Sequence, residues 1–397
     1  MFLTVSKRLE FSASRRLFDP GLSSAQNLAA FGDETTARYG AGRNYVAWFV
    51  FTGTVDPATG MLMNISEIKQ RAGQVIDGGY DHKFLNEDNA AFADRVPTAG
   101  NVARQLATEV APLFSGSGAE LFAVHLEETP QRAATAYANG ATESHYEFRF
   151  SAARTTMSPN LSEAENAQLF GIASSPLGHG HDYRARLTTR TAIGAAPLAE
   201  CISSLTRELD HRNLNAEVPG LQGVPITTEM LSAYLFQRAS SSLPLHRVRL
   251  HERSDFFAEF DIDGQHLLAL QMPFSASHRL QSYEHSEAEN AAMYGKCNNP
   301  RGHGHLYISE ATIGGPLDER SGTLCDFTEL QSALRESVRG WDNKHLDLET
   351  EEFRRRPSTG ENIVQVLWEK TNPLIWNRLE RLRLWETANN RFTLRRL

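Results

Sequence analysis

Alternation of apolar and charged residues predicts β-strands at several places along the chain. In Tyr146-Glu-Phe-Arg-Phe150 every second residue is apolar, as in a strand with one buried face. Residues 45–55 are rich in β-branched and aromatic side chains, and the turn sequence 56–60 (DPATG) closes them. Residues 121–126 have the same strand-like composition. These segments predict a sheet with one face buried.

Helical spacing follows the predicted strand at 45–55. Apolar residues that recur every three or four positions mark the buried face of a helix. One such set is Ile65, Ile68, Ala72, Val75 and Ile76. A second set, with Thr98 as its predicted N-cap, is Val102, Leu106, Val110 and Leu113. The first third of the chain is therefore predicted to run strand, strand, helix, helix, strand, with a fourth strand completing an antiparallel sheet.

Four landmarks recur in the same order three times. The first is a strand-like segment at 9–17, 146–154 and 272–280. The second is an Asn-aromatic-Gly stretch that ends in Gly-x-Gly-x-x-Tyr, at 27–45, 166–183 and 290–307. The third segment lies at 80–86, 209–215 and 341–347, and the fourth landmark is an acidic residue, Glu128, Glu252 or Glu386. The repeat predicts three modules: module 1 (1–135), module 2 (143–258) and module 3 (266–397).

The predicted modules each leave open sheet edges. Four strands alone expose two unpaired edges, whereas three copies can pair edge to edge and close a barrel with helices outside. The expected connections, about 129–145 and 253–266, are short and favour tight pseudo-threefold packing. The predicted fold is α+β, with three four-stranded antiparallel sheets and two helices each in a pseudo-trimeric barrel.

Composition limits the cellular compartment and the classes of partner that we expect. The 397 residues have a formal net charge of −8 with both signs interspersed, so we expect no nucleic-acid partner. No apolar run approaches the ~20 residues that span a bilayer, and no leader pattern precedes the first strand. Three cysteines are too few for a disulfide framework. We expect a cytoplasmic protein that does not bind membranes.

Module 3 contains a candidate metal site. His303 and His305 stand two positions apart at the start of a predicted strand, so both side chains point to one face. His278 ends the preceding strand, and hairpin pairing could bring it opposite them. Three imidazoles without a fourth protein ligand are typical of catalytic zinc with one open position. The alternative is that a His-Gly-His triplet is simply a loop.

Cys297 is the candidate base or nucleophile. It lies six residues before His303 in a polar segment, next to Lys296. A lysine and a bound cation would lower the pKa of the thiol and favour the thiolate. The alternative, a small buried side chain, is our expectation for Cys201 and Cys325.

Together, the segments FSASHRL, YGKCNNPRGHGH, Thr359-Gly-Glu361-Asn362 and Trp385-Glu386-Thr387 resemble the 6-pyruvoyltetrahydropterin synthase family and its 6-carboxytetrahydropterin synthase relatives. The resemblance implies the tunnelling fold, in which sheets of several subunits close a barrel around pterin or purine sites. It implies that His278, His303 and His305 hold Zn²⁺ and that Cys297 is the proton-abstracting thiolate. Glu386 would bind the pterin edge, and Thr359 and Glu361 would line its pocket. The five residues between Cys297 and His303 match the pyruvoyl-forming branch.

The family's Asp-His proton relay is retained unevenly among the modules. Module 1 has Asp81-His82 and module 2 has Asp210-His211, whereas in module 3 Asn343 follows Asp342, and His345 is a doubtful substitute. The three metal-ligand positions hold Arg15, Ala41 and Arg43 in module 1 and Arg154, His179 and His181 in module 2. Module 1 has no cysteine and has Gly100 at the pocket glutamate, while module 2 has Ala173 at the cysteine and keeps Thr227-Thr228-Glu229.

These losses predict one composite site per chain. Arginines at ligand positions would repel zinc, so modules 1 and 2 are expected to bind none tightly. The metal and thiol of module 3 would then use an Asp-His pair from another module, with His211 favoured slightly over His82. The opposing view is that these pairs only cap a helix and turn.

The resemblance implies a zinc-dependent lyase that converts 7,8-dihydroneopterin triphosphate to 6-pyruvoyltetrahydropterin without a redox cofactor. Side-chain cleavage of a dihydropterin, formation of the 6-carboxy product, and a pterin-binding protein without turnover are the alternatives. Family members stack two rings of three subunits, so two of these chains would form a homodimer.

Overall fold

Long β-strands form one continuous antiparallel barrel in this computed structural model, which describes residues 1–397. The strands are β1 (Phe2–Arg15), β2 (Ala41–Gly53), β3 (Lys83–Phe84), β4 (Ala119–Thr129), β5 (Arg132–Tyr137), β6 (Thr142–Arg154), β7 (His179–Thr189), β8 (Arg212–Asn213), β9 (Leu245–Arg253), β10 (Phe256–Asp261), β11 (His266–His278), β12 (His303–Gly314), β13 (Lys344–His345), β14 (Leu379–Thr387) and β15 (Asn390–Arg395). Each module supplies four long strands, and one two-residue strand (β3, β8 or β13) pairs in parallel with the first of them.

Edge-to-edge pairing of the modules closes the barrel. Strand β5 pairs with β6, β10 with β11, and β15 with β1, all antiparallel. The long strands therefore leave no free edge of the kind that promotes aggregation. The predicted α+β class, with three four-stranded sheets closing a pseudo-trimeric barrel, is confirmed.

Helices cover the outer surface of the barrel. They are α1 (Ser24–Phe31), α2 (Ile65–Gly79), α3 (Leu85–Asp88), α4 (Ala99–Val110), α5 (Glu163–Phe170), α6 (Ala195–Leu209), α7 (Leu214–Glu217), α8 (Thr228–Ser240), α9 (Glu287–Tyr294), α10 (Phe327–Arg339), α11 (Leu346–Glu349) and α12 (Gly360–Leu374). Two long helices per module match the prediction. None of the helices combines the length and the apolar character needed to cross a bilayer.

The fourth strand of each module was predicted without a position, and the short helices before the second strands were not predicted. The expected connections contain the fourth strands β5 and β10, so the modules are linked by tighter turns than predicted. Short helices α1, α5 and α9 precede the second strand of each module. Their signal was present: a serine N-cap with Gln or Glu three residues later, as in Ser286 and Glu289, forms a capping box.

The hydrophobic core joins modules 1 and 3 more closely than module 2. One buried cluster runs from Leu62 and Met63 of module 1 to Ile363 and Val364 of module 3. Module 2 has a cluster of its own. The seam between modules 3 and 1 is therefore a packed interface, and it borders the candidate site.

Candidate active site

Hairpin pairing brings the three predicted histidines together. Strands β11 and β12 are antiparallel, with His278 opposite His303 and Ala276 opposite His305. One ring nitrogen from each of the three histidines lies within 4.8 Å of the other two. Two histidines on one strand and one at the end of its neighbour therefore converge as the alternation predicted.

Their hydrogen bonds leave nitrogen lone pairs available for a metal. His278 is fully buried, and its Nδ1 lies 2.8 Å from the carbonyl oxygen of Ser358. That bond fixes Nδ1–H as the donor and leaves Nε2 free. The Nδ1 of His303 and the Nε2 of His305 are buried without a hydrogen-bond partner. These two unpartnered nitrogens, together with the Nε2 of His278 that lies 3.5 Å from the Tyr307 hydroxyl, fit a divalent metal that accepts nitrogen ligands.

Burial also favours the neutral form of the His278 and His303 rings. It lowers the pKa of His278 to about 3, with a smaller contribution from the neighbouring histidines, while its bond to Ser358 opposes the shift. Burial likewise lowers the pKa of His303. A metal binds neutral imidazole, so burial favours the ligating form of His278 and His303.

Cys297 lies near the end of the strand that carries His278, and neighbouring side chains alone do not lower the pKa of its thiol. It sits in a 3₁₀ helix, Gly295–Asn298, and its carbonyl oxygen accepts a 3.0 Å bond from the backbone N–H of Leu280, two residues after His278. We expected neighbouring charges to lower the pKa of the thiol. Instead burial raises the pKa of Cys297, and Glu386 raises it further, because together they outweigh Lys296. A bound cation would have to reverse that balance.

Glu386 lies at the edge of the histidine cluster. Its Oε1 is 3.9 Å from the Nε2 of His278, and its Oε2 accepts a 3.1 Å bond from the amide of Asn390. The side chain is 13% exposed, so one edge of the carboxylate remains accessible. That position suits a carboxylate that grips a ligand beside the metal.

Thr359 and Glu361 tie the site to module 1. Thr359 caps α12, and its hydroxyl donates a 2.5 Å bond to the carbonyl oxygen of Gly60. Glu361 accepts a 2.9 Å bond from the backbone N–H of Leu62. Burial raises the pKa of Glu361 to about 7. Both side chains therefore bind the backbone of the neighbouring module.

The Asp-His pairs lie elsewhere on the surface. Asp81 lies 2.8 Å from the ring of His82, Asp210 lies 2.8 Å from that of His211, and both histidines are 83% exposed. Neither histidine has a hydrogen bond or ion pair with module 3. Each pair is anchored to its own first strand, since the aspartate accepts from a backbone N–H there. Within one chain, neither pair contacts Cys297.

Module 3 keeps the backbone of this segment without its histidine. Asp342 accepts a 2.8 Å bond from the backbone N–H of Ser275, as the other two aspartates do on their own strands. Asn343 has φ 61°, close to the values at His82 and His211, and asparagine tolerates that left-handed conformation well. The ring of His345 lies 3.7 Å from Asp347.

Arginines replace the metal ligands in the other modules. Arg15 is fully buried and donates from Nε to Glu128 at 2.8 Å, and it also pairs with Glu34. Arg154 is 3% exposed and donates from Nη2 to Glu252, while its Nε has no hydrogen-bond partner. Both stand where His278 stands, at the end of the first strand of the module.

Three contributors were missed in the sequence. The carbonyl of Ser358 orients His278, Asn390 holds Glu386, and the hydroxyl of Tyr307 lies 3.5 Å from the His278 ring. Tyr307 ends the repeated Gly-x-Gly-x-x-Tyr segment and stacks on Phe274, with 5.0 Å between ring centroids. The repeat was a signal for this tyrosine, whereas a backbone carbonyl has no sequence signature.

Comparison with known proteins adds an independent result. The sequence profile of the family described as 6-pyruvoyl tetrahydropterin synthase matches residues 4–139, 143–263 and 268–396. Proteins named 6-pyruvoyl tetrahydrobiopterin synthase from Drosophila melanogaster and Homo sapiens are 45% and 35% identical over 97 and 122 residues. Those alignments cover 24% and 30% of this chain, and 58% and 84% of the relatives.

Solved structures of the family are similar to parts of the chain. The structure of Caenorhabditis elegans 6-pyruvoyl tetrahydropterin synthase is 33% identical and covers 34% of this chain and 96% of that one, with a TM-score of 0.33. It spans about the length of a single module.

Proposed function

Because the chain belongs to the 6-pyruvoyl tetrahydropterin synthase family, we propose that it is a zinc-dependent carbon–oxygen lyase acting on a pterin triphosphate. The substrate would be 7,8-dihydroneopterin triphosphate and the products 6-pyruvoyltetrahydropterin and triphosphate. The observation that carries the proposal is the convergence of His278, His303 and His305 beside Cys297 and Glu386. Neither of the other modules retains that set.

The chain's own residues divide the chemistry among them. His278, His303 and His305 would hold Zn²⁺, which when bound supplies a charge that polarises the side-chain hydroxyls of the substrate and acidifies the adjacent C–H. Cys297, as thiolate, would take that proton. The C–O bond to triphosphate then breaks, and the pterin ring is reduced internally. Glu386 would accept hydrogen bonds from the 2-amino and N3 edge of the ring.

The thiol needs help that one chain does not provide. Burial raises the pKa of Cys297, so the thiolate requires a cation at the histidines. The proton must then leave through a relay, and the exposed pairs Asp81-His82 and Asp210-His211 contact only their own modules. We infer that a second copy of the chain, stacked as a homodimer, brings one of these pairs to Cys297. In module 3 the corresponding pair, Asp342 and Asn343, lacks the histidine and would not relay protons.

A second candidate is a pterin-binding protein without turnover. Asn343 in place of the relay histidine and the arginines at ligand positions in modules 1 and 2 favour this alternative. Chemistry on a related dihydropterin, by side-chain cleavage or to the 6-carboxy product, would use the same proton abstraction.

Product analysis separates these functions. The zinc-loaded protein should be incubated with 7,8-dihydroneopterin triphosphate, and separately with 7,8-dihydroneopterin, and the products identified by mass spectrometry. Release of triphosphate with a 6-pyruvoyl product, lost in Cys297→Ala, is the expected result. Tight binding without product would establish the binder, and a cleaved or carboxylated side chain would establish one of the related reactions.

A further inference from the structure

The inside of the barrel holds a cavity lined mainly by charged and polar side chains. Its volume is about 210 Å³, and it is separate from the histidine site. Seven arginines line it, and all of them come from β7, β9, β14 and β15 of modules 2 and 3. Module 1 contributes no arginine to this wall.

Strand register forces several of these arginines against each other. Arg381 on β14 stands directly opposite Arg395 on β15, and Arg186 on β7 stands opposite Arg249 on β9. Residues directly opposite in an antiparallel pair project to the same face, here the lumen, and like charges in that position are destabilising. Two such pairs in one lumen require compensation.

Carboxylates provide only part of that compensation. Glu259 lies 2.7 Å from Arg249 and 3.0 Å from Arg381, and Glu310 lies 2.9 Å from Arg383. Arg391 and Arg395 on β15 have no carboxylate within ion-pair distance. Arg391 lies over the ring of Trp48 instead, 4.6 Å from its centroid.

Comparison of the modules shows why the arginines without a carboxylate partner lie on β15. In the repeat, Ala123 and His125 of module 1 stand where module 3 has Arg381 and Arg383. The wall facing β15 therefore carries little charge. The Nε atoms of Arg381, Arg383 and Arg391 are buried without a hydrogen-bond partner, and Arg381 is only 9% exposed. Burial, together with neighbouring arginines, lowers the pKa of Arg391 and of Arg395 to about 10.

We propose that this lumen binds a multiply charged phosphate anion between β14 and β15, with Arg391 and Arg395 as its principal ligands. Guanidinium groups match phosphate oxygens in paired, bidentate hydrogen bonds, and the unpartnered Nε atoms supply donors in that geometry. Few side chains lining the cavity are apolar, which argues against a hydrophobic ligand. The anion would neutralise the opposed arginines and stabilise the closed barrel. This site is independent of the proposed catalytic function.

Inorganic tripolyphosphate and orthophosphate are suitable probes, titrated calorimetrically and by thermal unfolding against KCl of equal ionic strength. We expect about one tripolyphosphate in the lumen per chain, a rise in Tm of about 3–5 °C at saturation, and no such rise with chloride. The double variant Arg391→Gln/Arg395→Gln should bind this anion at least about tenfold more weakly. Without anion its Tm should equal or exceed that of the unmodified protein, because a repulsion has been removed.

Two controls locate the binding. Arg355→Gln/Arg356→Gln removes two exposed arginines and should leave the titration unchanged. His303→Ala/His305→Ala disrupts the histidine site and should also leave it unchanged. Equal Tm shifts with chloride, an undiminished affinity in Arg391→Gln/Arg395→Gln, or loss of binding in the histidine variant would each overturn the lumen site.

Discussion

The histidine cluster of module 3 and the corresponding site of module 2 have the same strand pairing. They differ in the group that can place a positive charge beside the glutamate. In both, the end of the first strand stands opposite a His-Gly-His segment, and a glutamate lies beside it. In module 3 the three ring nitrogens converge, and Glu386 keeps an accessible edge. In module 2 the guanidinium of Arg154 occupies that place and binds Glu252.

The residue at the end of the first strand, histidine or arginine, decides which cation accompanies the glutamate. A buried glutamate needs a cation nearby, which can be either a metal held by imidazoles or a guanidinium on the chain itself. The arginine satisfies the glutamate permanently, so that carboxylate is no longer free to receive a ligand. Module 1 reached the same arrangement with Arg15 and Glu128. In modules 1 and 2 the glutamate is thus paired with an arginine, whereas in module 3 it is not.

The largest effect on metal binding and activity is expected from removing the histidines of module 3. His303→Ala/His305→Ala removes two nitrogen ligands, so bound metal should fall from about one ion per chain to near zero. Activity should fall by about 10³-fold or more, because polarisation of the substrate is lost. Elemental analysis and product formation measure the two effects.

The matched control is His179→Ala/His181→Ala in module 2. It removes the same segment from the arginine-containing site, so metal content and activity should remain as in the unmodified protein. A loss of metal in that variant would show that module 2 is the site that binds it.

The convergence of the histidines was predicted from the sequence, but the contacts between modules 1 and 3 around them were not. His278, His303 and His305 follow from strand alternation and one hairpin, which are local properties. The bond from Leu62 to Glu361 joins residues about 300 positions apart, and it depends on how the barrel closes. Burial raises the pKa of Cys297 against the effect of the adjacent lysine, and burial cannot be seen in sequence. A fourth strand was predicted in each module, but the segment of β5 was interpreted as a connection because it is short and rich in Ala and Thr.

Breaking the module 1 arrangement should cost stability instead of activity. Arg15→Met leaves Glu128 buried without its cation, and removal of one partner from a buried ion pair typically costs about 3–5 kcal/mol. Chemical denaturation would measure the change. The double variant Arg15→Met/Glu128→Gln should recover much of it, and additive losses would show that the two residues are not coupled.

Glu361 offers a smaller effect that depends on pH. Its pKa rises from the ordinary value of 4.5 to about 7 on folding, so the folded state binds this proton more tightly than the unfolded chain. Stability should therefore fall as the pH rises from about 4.5 to 7, by about 3 kcal/mol from this group. Glu361→Gln keeps an oxygen for Leu62 and should abolish that decline, while the exposed Glu329→Gln should not. An unchanged pH profile in Glu361→Gln would show that the carboxyl is ionised in the folded protein.

The smallest change would convert module 2 towards module 3. Arg154→His places a third imidazole opposite His179, in the register that His278 has with His303, and removes the charge that excludes a metal. We expect bound metal to rise from about one to about two ions per chain. Activity should stay the same, because Ala173 stands where Cys297 stands in module 3. Arg154→Ala removes the cation without adding a ligand, so it should gain no metal. If Arg154→His also gains none, the charge of the arginine is not what keeps a metal out of module 2, because the ligand atoms of His179, His181 and Glu252 already lie within 4.8 Å of one another.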